Sequence, residues 1–211
     1  MPGQHGTSTG GHAGVRVQGS QAAGSRGRSL HATQKFTPGD EIAVFDNPLV
    51  VIPSGPTARS ICSQCLMPRR PVKACTGCKA IAYCGTTCQK AHWSLIHRLE
   101  CRAFKRVKSK AGLDWLPTPV RSVVQLLLRW TEDGVAATVE RLESNLEGFK
   151  SNKIWADIEL QALAACTYAG WETTSENLDL VSALLCKVSP SKPSGCYIER
   201  LTVVSDTNQL L

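Results

Sequence analysis

The residues best suited to chemistry in this chain are cysteines and one histidine that occur in closely spaced pairs. Seven of the ten cysteines lie between Cys62 and Cys101. Four pairs have the spacing of metal ligands: Cys62 and Cys65, Cys75 and Cys78, Cys84 and Cys88, and His97 and Cys101. Two thiolates separated by two residues can share a tetrahedral ion, and residues four apart on a helix share one face. Four such pairs predict two zinc sites.

Helix geometry selects the histidine of the last pair. The composition of residues 86–105 is compatible with a helix, and at about 100° per residue Cys88 and His97 lie on opposite faces, whereas His97 and Cys101 share one. The competing His92 lies on the Cys88 face, where four cysteines already fill the site. We therefore expect His92 to be a surface or packing residue.

Spacing alone leaves open how the four ligand pairs combine. Sequential pairing joins the first pair with the second, whereas an interleaved cross-brace joins the first with the third and the second with the fourth. The opposite helix faces of the last two pairs favour the cross-brace. In either case each ion has four protein ligands, so both ions would be structural and neither would activate water. The module has few apolar residues, and we expect zinc binding to supply folding free energy.

Composition limits the classes to which the chain can belong. It has 211 residues, 42% of them hydrophobic and 19% charged, which excludes a collagenous or wholly disordered protein. No apolar run approaches the roughly 18 residues of a membrane helix, and the first residues lack a signal-peptide core. We expect no membrane association. The many cysteines then indicate metal binding in a reducing compartment, the nucleus or the cytoplasm.

The flanking sequence predicts the elements that position the cysteines. Residues 30–33 and 42–45 flank a Thr-Pro-Gly-Asp turn and predict a hairpin, and residues 49–52 predict a further strand. After Cys101, apolar residues at helical spacing predict helices over residues 116–130, 135–149, 154–168 and 176–188. The predicted fold class is α+β, with the small two-zinc module inserted between short β-strands and a C-terminal α-helical segment.

The order of the ligands, with a histidine seventh and a cysteine eighth, and Tyr83 before the fifth, resembles the MYND zinc finger over residues 62–101. The resemblance implies the cross-brace. One zinc ion would take Cys62, Cys65, Cys84 and Cys88, and the other would take Cys75, Cys78, His97 and Cys101. It also implies protein–protein interaction, in which Gln89 and Trp93 contact a proline-rich peptide added as a strand. A purely structural Trp93, packed on the zinc core, stays open.

The flanks resemble the SET-and-MYND lysine methyltransferases. The segment Gly-Ser-Arg-Gly-Arg-Ser-Leu, residues 24–30, followed by Pro-Gly-Asp-Glu-Ile, residues 38–42, looks like the opening of a SET domain. The resemblance implies a parent family of protein-lysine (histone) N-methyltransferases that use S-adenosylmethionine. Four residues match its cofactor-contact positions: Arg26, Arg28, Glu143 and Asn145. Arg28 stands where a smaller Asn is common, and Ser29 stands where Gly is usual.

The catalytic Asn-His-Ser-Cys-x-Pro-Asn segment of that family does not occur in this sequence. All five histidines precede residue 98, and no Asn-His dipeptide is found. We therefore predict no catalytic residues and no methyl transfer by the chain as written, and we interpret it as a truncated N-terminal part of a family member. A divergent or misread end and a short isoform both fit residues 189–211.

These patterns together predict five segments. They are a disordered tail over 1–24, SET-like strands over 25–56, a MYND-type zinc finger over 62–101, a helical SET-associated region over 112–188, and a divergent or disordered tail over 189–211.

Charge is distributed unevenly along the chain. Residues 62–110 hold eleven Lys and Arg against one acid, a net +10, whereas residues 131–211 hold six against twelve, a net −6. Two thiolate-bound zinc sites with formal charges of about −2 and −1 would reduce the basic region to about +7. Such a patch is typical of a nucleic-acid-associated transcriptional regulator, and it also fits a solvated face that keeps the module soluble.

Overall fold

The computed structural model describes residues 14–19, 28–42, 48–53, 59–113, 115–132, 134–142 and 144–189. They belong to two units, residues 1–47 and residues 48–211. Most of the two predicted tails and Cys196 lie outside the described residues.

The first unit contains two antiparallel strands, β1 (Val15–Gly19) and β2 (Arg28–Ala32), in a register that pairs Val15 with Ala32 and Gly19 with Arg28. The strand β1 lies within the predicted disordered tail, so the prediction of disorder is wrong there. Its alternating β-branched residues favour a strand once β2 supplies the partner. Strand β2 pairs with β1. The hairpin partner predicted at 42–45 falls almost wholly on residues 43–45, which lie outside the described residues.

The turn that was expected after β2 is present. The backbone N–H of Asp40 donates to the Thr37 carbonyl over 3.1 Å, and the Thr37 N–H donates to Asp40 Oδ2 over 2.7 Å. Gly39, inside this turn, has a φ of 96°, a conformation that favours glycine.

The first strands of the second unit lie in its cysteine-rich region. Its strands β3 (Lys73–Ala74) and β4 (Ala82–Tyr83) form a short antiparallel pair. A nearly continuous helical rod follows, made of α1 (Thr86–His92), a π-helical segment (Trp93–His97) and α2 (Arg98–Ala111), which ends at Gly112 in the left-handed conformation.

The rest of the second unit is helical: α3 (Thr118–Leu128), α4 (Val135–Glu140), α5 (Leu146–Lys150), α6 (Trp155–Ala169) and α7 (Ser175–Val188). The predictions at 116–130, 154–168 and 176–188 correspond to α3, α6 and α7. The α3 helix is buried from Val120 to Leu127 and packs against α2, α6 and α7. It is the central element of this unit.

Two predicted elements differ from the structure. The helix expected over 135–149 is divided into α4 and α5, because Asn145 precedes α5 in the left-handed conformation with a φ of 47°. The strand expected at 49–52 is not a strand. Val50 and Ile52 are buried there by side-chain packing, and the Leu49 carbonyl accepts a bond from Arg129 Nη1 over 2.8 Å.

Helix α2 is joined to α6 by a side-chain contact. Arg106 donates from Nε and Nη2 to the carbonyl oxygen of Tyr168, over 2.8 and 2.6 Å. A cation at the C-terminal end of a helix is also favoured by the helix dipole. None of the helices within the described residues has both the length and the apolar character that crossing a bilayer requires.

Candidate metal centre

The two Cys-x-x-Cys segments adopt the same local turn. The N–H of Leu66 donates to the Cys62 carbonyl over 3.0 Å, and the N–H of Lys79 donates to the Cys75 carbonyl over 2.9 Å. Both donors stand four residues after the first cysteine, with φ values of 53° and 59°. Each turn holds its two thiols on one side, ready to share an ion.

Strand β4 determines which pairs meet. Ala82 pairs with Ala74 in the antiparallel ladder and also forms a bridge with Cys62. The N–H of Ser63 donates to the Ala82 carbonyl over 2.9 Å. The first cysteine pair is therefore tied beside β4, and the third pair begins at Cys84, directly after that strand. This local pairing produces the interleaved order.

The eight ligand candidates gather in two groups. Cluster I consists of Cys62, Cys65, Cys84 and Cys88, and cluster II consists of Cys75, Cys78, His97 and Cys101. Within each cluster the candidate ligand atoms all lie within 4.8 Å of one another. The grouping is the cross-brace and not the sequential alternative.

The distances in cluster I suit a tetrahedral zinc ion. The Sγ atoms of Cys65 and Cys84 are 3.7 Å apart, and those of Cys84 and Cys88 are 3.6 Å apart. Zn–S bonds of about 2.3 Å give a tetrahedral S···S edge of roughly 3.8 Å. All nine cysteines within the described residues are free thiols. Cluster I therefore has the separation of co-ligands and not of a disulfide.

Cluster II is fully buried and includes one nitrogen. The Nε2 atom of His97 lies 3.3 Å from Cys75 Sγ and 3.8 Å from Cys78 Sγ. A tetrahedral zinc ion gives an S···N edge of roughly 3.6 Å, between these two values. The two Cys/His clusters thus fit two zinc sites, each with four protein ligands.

Ionisation of the crowded thiols also fits a divalent cation. Burial raises the pKa of Cys62 and of Cys75, but nearby N–H groups outweigh it and lower both to about 7. Burial, with the neighbouring thiols, raises the pKa of Cys78 to about 12, and the bond to Cys84 raises that of Cys88 to about 12. One thiolate forms readily in each cluster, and a bound cation would favour ionisation of the others.

The π-helical segment changes the position of His92. In a regular α-helix, His92 and His97 would be about 140° apart. The i→i+5 geometry of the segment instead stacks their rings at 5.6 Å, with an interplanar angle of 6°. His92 is buried, and its Nδ1 lies 2.9 Å from the Tyr83 hydroxyl. Burial lowers the pKa of His92 to about 4. His92 is a packing residue, and the surface position is excluded.

His97 is supported by a chain of buried polar groups. Its Nδ1 lies 3.1 Å from Glu100 Oε2. Glu100 Oε1 accepts bonds from Arg121 Nε over 2.7 Å and from Gln125 Nε2 over 2.8 Å. Burial alone raises the pKa of Glu100, but the adjacent Arg121 guanidinium and the bond to His97 hold it far below the usual range. The ionised carboxylate can hold the Nδ1–H tautomer, which leaves Nε2 free to bind metal.

Sequence reasoning missed these supporting residues, although two signals were present. Residues 62–110 contain eleven Lys and Arg residues and a single acidic residue, Glu100. Arg121 and Gln125 stand four apart on one face of a helix whose other buried residues are almost all apolar. Polar residues at that spacing inside a buried helix indicate a shared buried partner.

The predicted peptide-binding residues lie on the rod, where Gln89 directly follows Cys88 of cluster I and Trp93 contacts His97 of cluster II. Trp93 is 42% exposed, and its ring lies in a T-shaped arrangement with the His97 ring at a centroid distance of 5.8 Å. Gln89 is half-buried one turn before it. Trp93 therefore packs on the candidate metal ligand His97 and also exposes part of its ring to solvent. A structural role and a peptide-binding role are compatible for this residue.

Of the four predicted cofactor-contact residues, Arg26 and Glu143 lie outside the described residues. Arg28 is the first residue of β2. Asn145 precedes α5, and a Cβ added to Gly148 would lie 2.8 Å from its Oδ1. The side chain of Asn145 thus packs over Gly148. The assignment of these residues to S-adenosylmethionine stays a prediction.

The cations of the finger and of α2 are almost all on the surface. Ten of the eleven Lys and Arg residues in 62–110 are exposed, and Arg106 is half-buried because it binds the end of α6. A strongly basic surface therefore remains around the zinc-binding module.

This fold and these clusters define a cross-braced, two-site zinc-finger module followed by a helical region. Residues 62–101 match the family profile of the MYND finger. MYND fingers in general mediate protein–protein interaction.

The longer similarity is to SET-and-MYND proteins. The chain is 34% identical over 104 residues to histone-lysine N-methyltransferase ASHR1 of Arabidopsis thaliana, covering 49% of this chain and 21% of the relative. It is 33% identical over 129 residues to SET domain and MYND-type zinc finger protein 6 of Schizosaccharomyces pombe, covering 61% and 25%. With human histone-lysine N-methyltransferase SMYD3 it shares 28% over 138 residues, covering 63% and 31%. The chain thus spans between a fifth and a third of the length of these curated relatives.

Proposed function

We propose that the chain is a zinc-dependent protein-interaction module, in which two structural zinc ions shape a surface for a partner peptide. The supporting observation is the closure of both clusters, since each offers four ligand atoms within 4.8 Å of one another. When bound, the ions supply cross-links in place of a large apolar core. With four protein ligands each, they leave no coordination position for a substrate.

The proposed peptide contact is the exposed side of the rod at Gln89 and Trp93. The contact with His97 restricts the indole, so less side-chain entropy would be lost on binding. An aromatic anchor with a neighbouring amide suits a proline-rich peptide, because the ring can pack on prolines while the amide bonds to the peptide backbone.

We expect Trp93→Ala to weaken binding of a proline-rich peptide by roughly 2 kcal/mol or more, the loss typical of an aromatic anchor. Isothermal titration calorimetry on the zinc-loaded chain measures it. Trp115→Ala is the matched control, because Trp115 is 48% exposed but lies outside the finger. Equal affinities for both variants, with zinc retained, would remove Trp93 from the binding surface. Gln89→Ala should give a smaller loss in the same direction.

A second candidate function is association with nucleic acid, favoured by the ten exposed cations of residues 62–110. Phosphate contacts release counterions, so the logarithm of the affinity should fall steeply and linearly with the logarithm of salt concentration. Fluorescence anisotropy with a labelled duplex tests this, and a flat salt dependence would count against it.

Protein-lysine methyltransferase activity is the third candidate, since two of the three relatives described above are named histone-lysine N-methyltransferases. It requires S-adenosylmethionine to bind, and Asn145 is the one predicted contact whose side chain the structure describes. Absence of calorimetric heat at millimolar S-adenosylmethionine would rule out cofactor binding by this chain.

A further inference from the structure

Two residues outside the finger reach its second cluster from the central helix of the helical region. Arg121 and Gln125 belong to α3, which lies beyond the matched residues 62–101. Both donate to the same carboxylate oxygen, Glu100 Oε1, whose partner oxygen lies 3.1 Å from His97 Nδ1. The side chain of Glu100 alone therefore connects α3 to the candidate metal ligand His97.

This path is buried throughout, which makes each contact costly to lose. The side chains of His97, Glu100 and Arg121 are at most 3% exposed. The Arg121 guanidinium lies 5.5 Å from the centre of the Phe104 ring, and its terminal nitrogens find no hydrogen-bond acceptor among the described residues. Glu100 is thus the anionic partner of Arg121, and a water-excluded pair of this kind depends on both members.

Charge balance is a second argument that Arg121 is linked to cluster II through Glu100. Three thiolates, a neutral imidazole and a divalent zinc ion carry a formal charge of −1, to which Glu100 adds another −1. Arg121 supplies the +1 that offsets the carboxylate in the same buried volume. Without Arg121, the carboxylate that orients His97 would stand unpaired beside an anionic metal site.

We propose that Arg121 and Gln125 are positioning residues for cluster II, so that zinc retention in the finger and the docking of α3 depend on each other. The proposal rests on the proposed zinc sites. Through Glu100, the two residues fix the ring orientation of His97 and keep its Nε2 directed at the thiolates. Because such coupling is reciprocal, an ion in cluster II also holds α3 in place.

The test is the release of zinc from the intact chain into an excess of a chromogenic chelator. Loss of a group that hydrogen-bonds to a metal ligand typically lowers metal affinity about 10- to 100-fold. We expect Arg121→Met to accelerate release of one of the two ions by about that factor and to leave the other unchanged. Gln125→Leu, which keeps the ion pair, should give a smaller acceleration of the same ion.

Arg129→Met is the matched control, since Arg129 directly follows α3 but binds Glu132 and the Leu49 carbonyl, not cluster II. ¹¹³Cd NMR of the cadmium-loaded chain assigns the affected site, because a three-sulfur, one-nitrogen site and a four-sulfur site give separate resonances. Arg121→Met should shift only the three-sulfur signal. Amide hydrogen exchange provides the reciprocal readout, with faster exchange in α3 after chelation.

The outcomes separate this proposal from the one on which it rests. If the purified wild-type chain contains no zinc, the zinc sites themselves are wrong. If Arg121→Met and Gln125→Leu both release their two ions at wild-type rates, the positioning role is overturned and the zinc sites are not. Equal acceleration of both ions would also overturn it, because that result describes a general loss of stability. Should Arg121→Met fail to fold, Gln125→Leu decides the question.

Discussion

Cys78→Ala should reduce the zinc content of the purified chain from two ions to one. Cys78 is a buried member of cluster II, and its Sγ lies 3.8 Å from His97 Nε2. Apparent zinc-binding free energies in finger peptides are about 10–16 kcal/mol, as large as the whole stability of about 5–15 kcal/mol of a typical domain. Loss of one ligand should therefore unfold the part of the finger around cluster II, as measured by metal analysis and hydrogen exchange.

Cys166→Ala is the control for this prediction. Cys166 is also a buried free cysteine, but it lies in α6 and belongs to neither cluster. The same chemical change there should leave two zinc ions and cost only the roughly 1–2 kcal/mol of a small core truncation. Two ions in Cys78→Ala, or equal zinc loss in both variants, would contradict the assignment of cluster II.

Glu100→Gln should destabilise the zinc-loaded chain by about 3–5 kcal/mol, the cost of leaving one member of a buried pair without its partner. The substitution keeps the shape of the side chain and removes its charge. Arg121, 3% exposed, then loses the carboxylate charge that lies 2.7 Å from its Nε in the native chain. Urea unfolding followed by tryptophan fluorescence measures the difference.

Glu132→Gln provides a control with the same geometry in a different environment. Its Oε2 lies 2.7 Å from Arg129 Nε, the same separation as in the buried pair, but Glu132 is 48% exposed. An exposed pair of this kind is worth about 0–1 kcal/mol. If Glu100→Gln and Glu132→Gln lower the free energy of unfolding by the same amount, burial does not increase the contribution of the Glu100–Arg121 pair to stability.

The metal clusters could be predicted from sequence because their ligands form local pairs. A Cys-x-x-Cys turn or an i, i+4 pair on a helix brings two ligands together without any tertiary information, and the faces of one helix then separated Cys88 from His97. The cross-brace itself depends on Ala82, which bridges Cys62 while pairing with Ala74. That arrangement is tertiary, and the residues alone only favoured it.

Tertiary contacts also explain where the sequence-based expectations failed or fell short. The stacking of His92 on His97 requires a π-helical segment, which a uniform 100° per residue cannot reveal. The strand β1 forms because β2 pairs with it, and no local signal in residues 1–24 outweighed their Gly-rich composition. Arg121 and Gln125 were read as part of an apolar helix, since their common partner Glu100 lies more than 20 residues earlier in the chain.

The most direct test of the zinc-dependent module is the metal content of the intact chain, measured by native mass spectrometry before and after treatment with a strong chelator. We expect two zinc ions per chain, and we expect their removal to abolish amide protection in residues 62–101. A chain purified under reducing conditions with excess zinc that carries no ion would contradict the account. So would a finger that keeps its amide protection after both ions are removed.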